Sequence, residues 1–158
     1  MRRHHLLLSL LLITLTLSSC SMFARAPQQP VAKGRDTVLI LFNSTGFREA
    51  VVANVVRELK AAKLNVVMDN TKRAKFYAAA DYAAVVHISE YWAWHVPYHA
   101  KRYFKRNSKA DNIVFAVTSG DPNVTITKPF DAVTGASKKD GVGKFSAEIM
   151  GKLTAAMK

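Results

Sequence analysis

Residues 36–158 read as a three-layer α/β domain with a parallel sheet, and three observations predict it. The segments Thr37–Phe42 and Tyr82–Ile88 are apolar almost throughout rather than alternating, as in strands covered on both faces. Helical periodicities fall between such segments, with Val51, Val52, Val55, Val56 and Leu59 on one face of the first. Strand and helix patterns alternate along the chain, which is the signature of parallel β-α-β units.

The elements follow in order. Thr37–Phe42 is the first strand, and Ser44-Thr45-Gly46 turns the chain into a helix whose solvent face carries Arg48, Asn54, Arg57, Glu58 and Lys60. Asn65–Met68 is a short second strand, followed by a weak, Ala-rich helix over residues 70–80. Tyr82–Ile88 is the third strand and leads into an aromatic loop over residues 90–96. Pro97 suits the first turn of the next helix, which turns Ala100, Tyr103 and Phe104 inward. Asn112–Thr118 is the fourth strand, Gly120–Asn123 a turn and Phe130–Thr134 the fifth strand. The last helix runs over 143–157, with Phe145, Ile149, Leu153 and Met157 in one stripe and Ser137 and Asp140 as a capping pair before it. About a dozen residues separate the last two strands, the minimum for a parallel crossover, so the helix usual there is expected to be reduced or missing.

The N-terminus gives an address. Met1–His5 is basic, Leu6–Leu17 is apolar, and Ser18-Ser19-Cys20 follows. This is the anatomy of a secretory leader, and the apolar run is too short to span a bilayer as a helix. The junction resembles a bacterial lipoprotein processing site. That resemblance implies a signal peptide over residues 1–19, diacylglycerol on the Cys20 sulfur and acylation of the amine freed by cleavage. Several acyl chains would then anchor the protein to a membrane. Ser21, where Asp would favour the inner membrane in enterobacteria-like sorting, leans toward the outer membrane, facing the periplasm. Residues 20–35, with Pro27, Pro30 and Gly34, have linker composition. Cys20 is the only cysteine, so its lipidation leaves no thiol for a disulfide, a redox pair or a metal site.

The chain carries 23 Lys+Arg against 11 Asp+Glu. An exported protein rarely meets nucleic acid, so the excess positive charge fits an acidic protein partner, an anionic envelope polymer or lipid headgroups, or serves solubility alone.

The segments LFNSTGFREAVV, VVHISEYWAWHVPYHAKRYFKR with IVFAVTSGD, and FDAVTGASKKDGVGKFSAEIMGKL together resemble the flavodoxin family over nearly the whole domain. The resemblance implies sheet order 2-1-3-4-5 and FMN bound at the carboxyl ends of the strands, with an electron-transfer role. Ser44, Thr45 and Gly46 would hold the phosphate at the helix N-terminus. The family loop reads roughly Thr-Gly-Asn-Thr. Here Phe47 and Arg48 replace its last two residues, and Arg48 would supply a charge-assisted contact in their place. Trp92 or Trp94 would stack on the flavin ring, with Tyr91 and Tyr98 as further candidates. The loop Ser119-Gly120-Asp121 would border the ring, which places Gly120 in the site. The alternative is a cofactor-free flavodoxin-like binding or assembly module of the cell envelope.

Each motif also has a plain structural account. Short β-α turns use Gly, Ser and Thr for cap chemistry, and exposed Trp residues serve partner surfaces. His95 and His99 have metal-ligand spacing, but a helix starting at Pro97 would separate them. His87 within a buried strand is expected to be a hydrogen-bonded core residue. Lys101, Arg102, Lys105, Arg106 and Lys109 form either a docking patch or a solvated helix face. No catalytic Ser-His-Asp set, carboxylate pair or zinc motif is legible.

Overall fold

The computed structural model describes residues 32–158 apart from Pro129, so the expected leader, Cys20 and the linker up to residue 31 lie outside the described residues. Five strands form one parallel sheet. β1 (Gly34–Phe42) lies between β2 (Asn65–Asp69) and β3 (Tyr82–Glu90), and β4 (Ile113–Ser119) and β5 (Ala132–Ala136) follow outward. The order is β2-β1-β3-β4-β5, as expected. The helix α1 (Gly46–Ala61) follows β1, α2 (Tyr98–Arg106) follows β3, and α3 (Val142–Ala156) closes the chain.

The two-residue period of the strands divides the interior into two cores. Val38, Ile40, Ala84, Val86, Ile88, Val114 and Ala116 face α1 and α3, where they meet Val51, Val55, Leu59, Phe145, Ile149 and Leu153. The intervening residues Leu39, Leu41, Val85, Phe115 and Val117 face α2 and the segment before β3. This explains the unbroken apolar strands: each residue has a covered face to enter. Full burial of each Val, Leu, Ile or Phe among them stabilises the fold by about 1.5–3 kcal/mol.

Residues 70–80, expected to form an α-helix, instead form 3-10 turns over Thr71–Phe76 and Ala79–Asp81. Asn70 caps the first by accepting from the Lys72 amide at 2.9 Å. Ala74, Tyr77 and Ala79 all enter the second core, which a continuous α-helix of this length would not permit. Tyr77 anchors the break by donating its hydroxyl to Asp69, which also pairs with Arg73 at 3.2 Å.

No helix joins β4 to β5. The connection packs its own side chains instead: Val124, Ile126 and Phe130 join the second core, and Phe130 stacks on Phe115 at 3.9 Å between ring centroids. The Ala132 amide donates to the Ile126 carbonyl at 3.0 Å, which sets the start of β5 two residues later than expected. Ser137 and Asp140 do not cap α3. A 3-10 turn over Lys139–Gly141 leads into the helix, and Gly141 at its N-cap makes no side-chain bond. Among the described residues no helix is long and apolar enough to cross a membrane.

Candidate functional site

The carboxyl ends of β1, β3 and β4 bring three loops together. From β1 the chain goes outward to β2, then returns past β1 to β3, so the β1–α1 and β3–α2 loops leave in opposite senses at a topological switch point. The candidates Ser44, Thr45, Gly46 and Arg48 lie on the first of these loops, Trp92 and Trp94 on the second, and Gly120 on the loop after β4.

In the first loop, side chains are engaged within the protein. Thr45 is the N-cap of α1, and its hydroxyl oxygen accepts from the Arg48 amide at 3.5 Å and from Arg48 Nε at 3.0 Å. Ser44 donates to the Glu49 carboxylate. Phe47 turns toward the first core and pairs with Phe145 at 5.9 Å. Arg48, expected on the solvent face, is only 4% exposed. Its Nη2 reaches the half-exposed Glu90 carboxylate at the end of β3, at 3.4 Å, while Nη1 is buried with no partner among the described residues. The reason for the inward turn is a pair of acceptors, one nearby in the chain and one across the sheet edge. Thr45 and Glu90 provide two acceptors on the inner side of the first helical turn, and a guanidinium satisfies both at once. Sequence periodicity assigned Arg48 to solvent because it sees the helix face and not the strand end opposite. Gly46 is exposed with open space where a side chain would stand.

The loop after β3 is a tight hairpin. Trp92 and His95 exchange backbone hydrogen bonds at 3.3 and 3.0 Å around Ala93 and Trp94, which have φ of 49° and 64°. Two consecutive left-handed residues define the turn type that Asn-Gly usually fills, so Ala-Trp here is strained. The loop is thus not extended, and it presents Trp92 at 77% exposure and Trp94 at 79%, with Tyr98 beside them at 75%. Gly120 is also exposed. Next to it, Ser119 accepts from the Asp121 amide at 3.1 Å through its hydroxyl and from the Ser137 amide at 2.9 Å through its carbonyl.

Behind the aromatic hairpin lies a feature the sequence did not suggest as a unit. His87, fully buried on β3, pairs through Nδ1 with the Ser89 hydroxyl at 3.0 Å and stacks on His99 of α2 at 5.7 Å. Tyr103 and Phe115 close around the same ring, each 5.6 Å away. Burial, with His99 adding to it, pushes the His87 imidazole down to about 3, so the ring is neutral. His99 is shifted down as well, by burial and then by Lys72. His95 is exposed outside the helix and stands apart from this pair.

Comparison with known proteins shows the fold. No protein-family model matches the chain, and no curated protein matches it. Among solved structures, rubredoxin oxygen:oxidoreductase from Desulfovibrio gigas superposes with a TM-score of 0.54 at 10% identity, over 77% of this chain and 36% of that one. Oxidised flavodoxin 2 from Bacillus cereus matches with a TM-score of 0.51 at 12% identity, over 75% and 98% of the two chains. A flavodoxin from the domain Archaea gives 0.50 at 7% identity, over 77% and 99%. The chain therefore has the flavodoxin-like fold, lacking a helix between β4 and β5. It spans about a third of the oxygen oxidoreductase and nearly the full length of the two flavodoxins.

Proposed function

We propose that this domain is a cofactor-free flavodoxin-like binding module of the cell envelope, which Cys20 would hold at a membrane by its lipid. The observation that carries this reading is the engagement of Arg48 by Thr45 and Glu90. A flavin phosphate at the N-terminus of α1 needs polar groups free to face it. Ser44 gives its hydroxyl proton to Glu49, the Thr45 oxygen accepts twice from Arg48, Phe47 packs on Phe145, and the one cation of the loop is buried against a carboxylate. A phosphomonoester would compete with Glu90 for Arg48 and stand near that carboxylate, which is unfavourable by simple electrostatics. The loop residues therefore do not fit FMN as they stand.

FMN binding and electron transfer form the second reading. It is favoured by the unpartnered Arg48 Nη1, by the open approach to Gly46 and by the exposed Trp92 and Trp94. It requires Arg48 to leave Glu90. The two readings separate on the purified protein. A colourless preparation that releases no flavin on denaturation is expected; a yellow one that releases FMN contradicts the cofactor-free reading.

A further inference from the structure

The face formed by α2 and the Thr71–Phe76 turn carries a groove that neither reading uses. Arg106 ties the two elements together by donating to the carbonyls of Lys75 at 2.7 Å, Tyr77 at 2.9 Å and Ala74. Between them is a groove of about 110 Å³ whose walls include Lys72, Lys75, Tyr98, His99, Arg102 and Tyr103. No carboxylate lines it. At its wall, Tyr103 is 2% exposed and, among the described residues, neither its hydroxyl nor the buried Nε2 of His99 has a hydrogen-bond partner. A buried polar group without a partner is costly. An oxyanion seated in the groove would be surrounded by the cations of Lys72, Lys75 and Arg102.

Tyr98 is the wall shared with a second, shallower depression, mostly apolar, lined by Trp92, His95, Val96, Pro97 and Lys101. Trp92 and Trp94 project from the strained turn rather than filling a core. Residues 91–110 contain Lys101, Arg102, Lys105, Arg106 and Lys109 and no carboxylate. One face thus offers an oxyanion site beside amphipathic aromatic rings, within a field of positive charge. A phospholipid surface presents the complement: phosphates above an apolar layer, where Trp and Tyr settle at headgroup level.

We propose that this face docks on an anionic lipid surface, with a headgroup phosphate in the groove between α2 and the Thr71–Phe76 turn and Trp92, Trp94 and Tyr98 in the interfacial layer. The proposal rests on the cofactor-free reading, because it needs both Trp residues free of a flavin.

The test uses the chain from Ser21 onward, so that neither leader nor acyl group contributes. The sheet and both cores described above lie within 34–153 and are retained. Trp92 and Trp94 are the only tryptophans, so their emission reports this turn alone. With vesicles containing about one-third phosphatidylglycerol, the emission shifts to the blue and the protein co-sediments; with phosphatidylcholine alone it does neither. The pair Lys72→Gln/Arg102→Gln weakens binding by about tenfold or more, whereas Lys60→Gln/Lys144→Gln on the opposite layer, with the same charge change, weakens it far less. Absence of binding to anionic vesicles overturns the proposal. So does an equal loss in both pairs, which would mean diffuse charge alone, and so does binding of inorganic phosphate or polyglutamate without vesicle binding. A parallel FMN titration keeps the two readings apart. Quenching of the tryptophans by FMN defeats the cofactor-free reading, while failure on vesicles without quenching defeats only the docking proposal.

Discussion

Arg48 and Glu90 meet across the carboxyl edge of the sheet, a buried guanidinium from the first turn of α1 against the half-exposed carboxylate at the end of β3, 3.4 Å apart. This contact joins the two loops that a flavin phosphate and ring would occupy in the resembled family. Replacing the loop residues by the polar pair of that family, Phe47→Asn with Arg48→Thr, removes the buried cation and opens the N-terminus of α1. The double variant is expected to gain FMN affinity of at least about tenfold over the parent, read by fluorescence titration. It is also expected to lose about 1–3 kcal/mol of stability, because the Phe47–Phe145 contact goes with it. Equal FMN affinity in parent and variant would place the obstacle outside this loop.

The buried imidazole of His87 makes stability depend on pH. Its folded value, pushed down to about 3 by burial, lies below the ordinary value of 6.5. Between these values the unfolded chain holds a proton that the folded chain does not. The His87 contribution is therefore nearly constant above about pH 6.5 and falls as pH drops below it, by up to about 1.4 kcal/mol per unit. His99, half-buried and shifted the same way, adds a smaller loss. Urea unfolding at pH 7 and pH 5 checks this. His87→Gln should reduce the difference by roughly 2 kcal/mol, and an unchanged difference would clear His87 of the effect.

Lys63 ends α1 in the left-handed region at φ 60°, with its amide donating to the Lys60 carbonyl and the Leu64 amide to that of Leu59, both at 3.0 Å. This paired closure favours glycine at the left-handed position. Lys63→Gly is expected to raise stability by about 0.5–1 kcal/mol in denaturant melts. A loss would mean that the lysine makes contacts that outweigh its backbone strain.

Gly135 of β5 lies under the ring of Phe145, and a Cβ built there would stand 2.6 Å from Phe145 Cδ2. Gly135→Ala is predicted to cost about 1–3 kcal/mol through overpacking. Gly143→Ala, in the first turn of α3 with open space around it, should not destabilise. Thermal melts of both variants test whether α3 packs on β5 in this way.

The central strands were legible because burial on both faces leaves unbroken apolar runs, and Val38–Leu41 and Ala84–Ile88 show it. The missing helix before β5 followed from a count of residues. Less was legible where a tertiary contact overrides local pattern. Residues 70–80 break into 3-10 turns because Tyr77 and Ala79 are drawn into the second core. Ser137 and Asp140 match a capping pattern, yet the helix starts only after Gly141. The candidate site was legible as a set of loops but not in its electrostatics. Nothing near Arg48 in the chain indicates that Glu90, 42 residues away, draws it inward. The groove between Lys72 and Arg102 likewise needs two segments about thirty residues apart to be brought together.

The cofactor-free reading turns on the Arg48 guanidinium being held by the protein's own Thr45 and Glu90. Titration of FMN with the chain from Ser21 onward, following quenching of flavin fluorescence, tests it most directly. No saturable quenching is expected up to tens of micromolar protein; tight, stoichiometric quenching by the unaltered chain would contradict the cofactor-free reading.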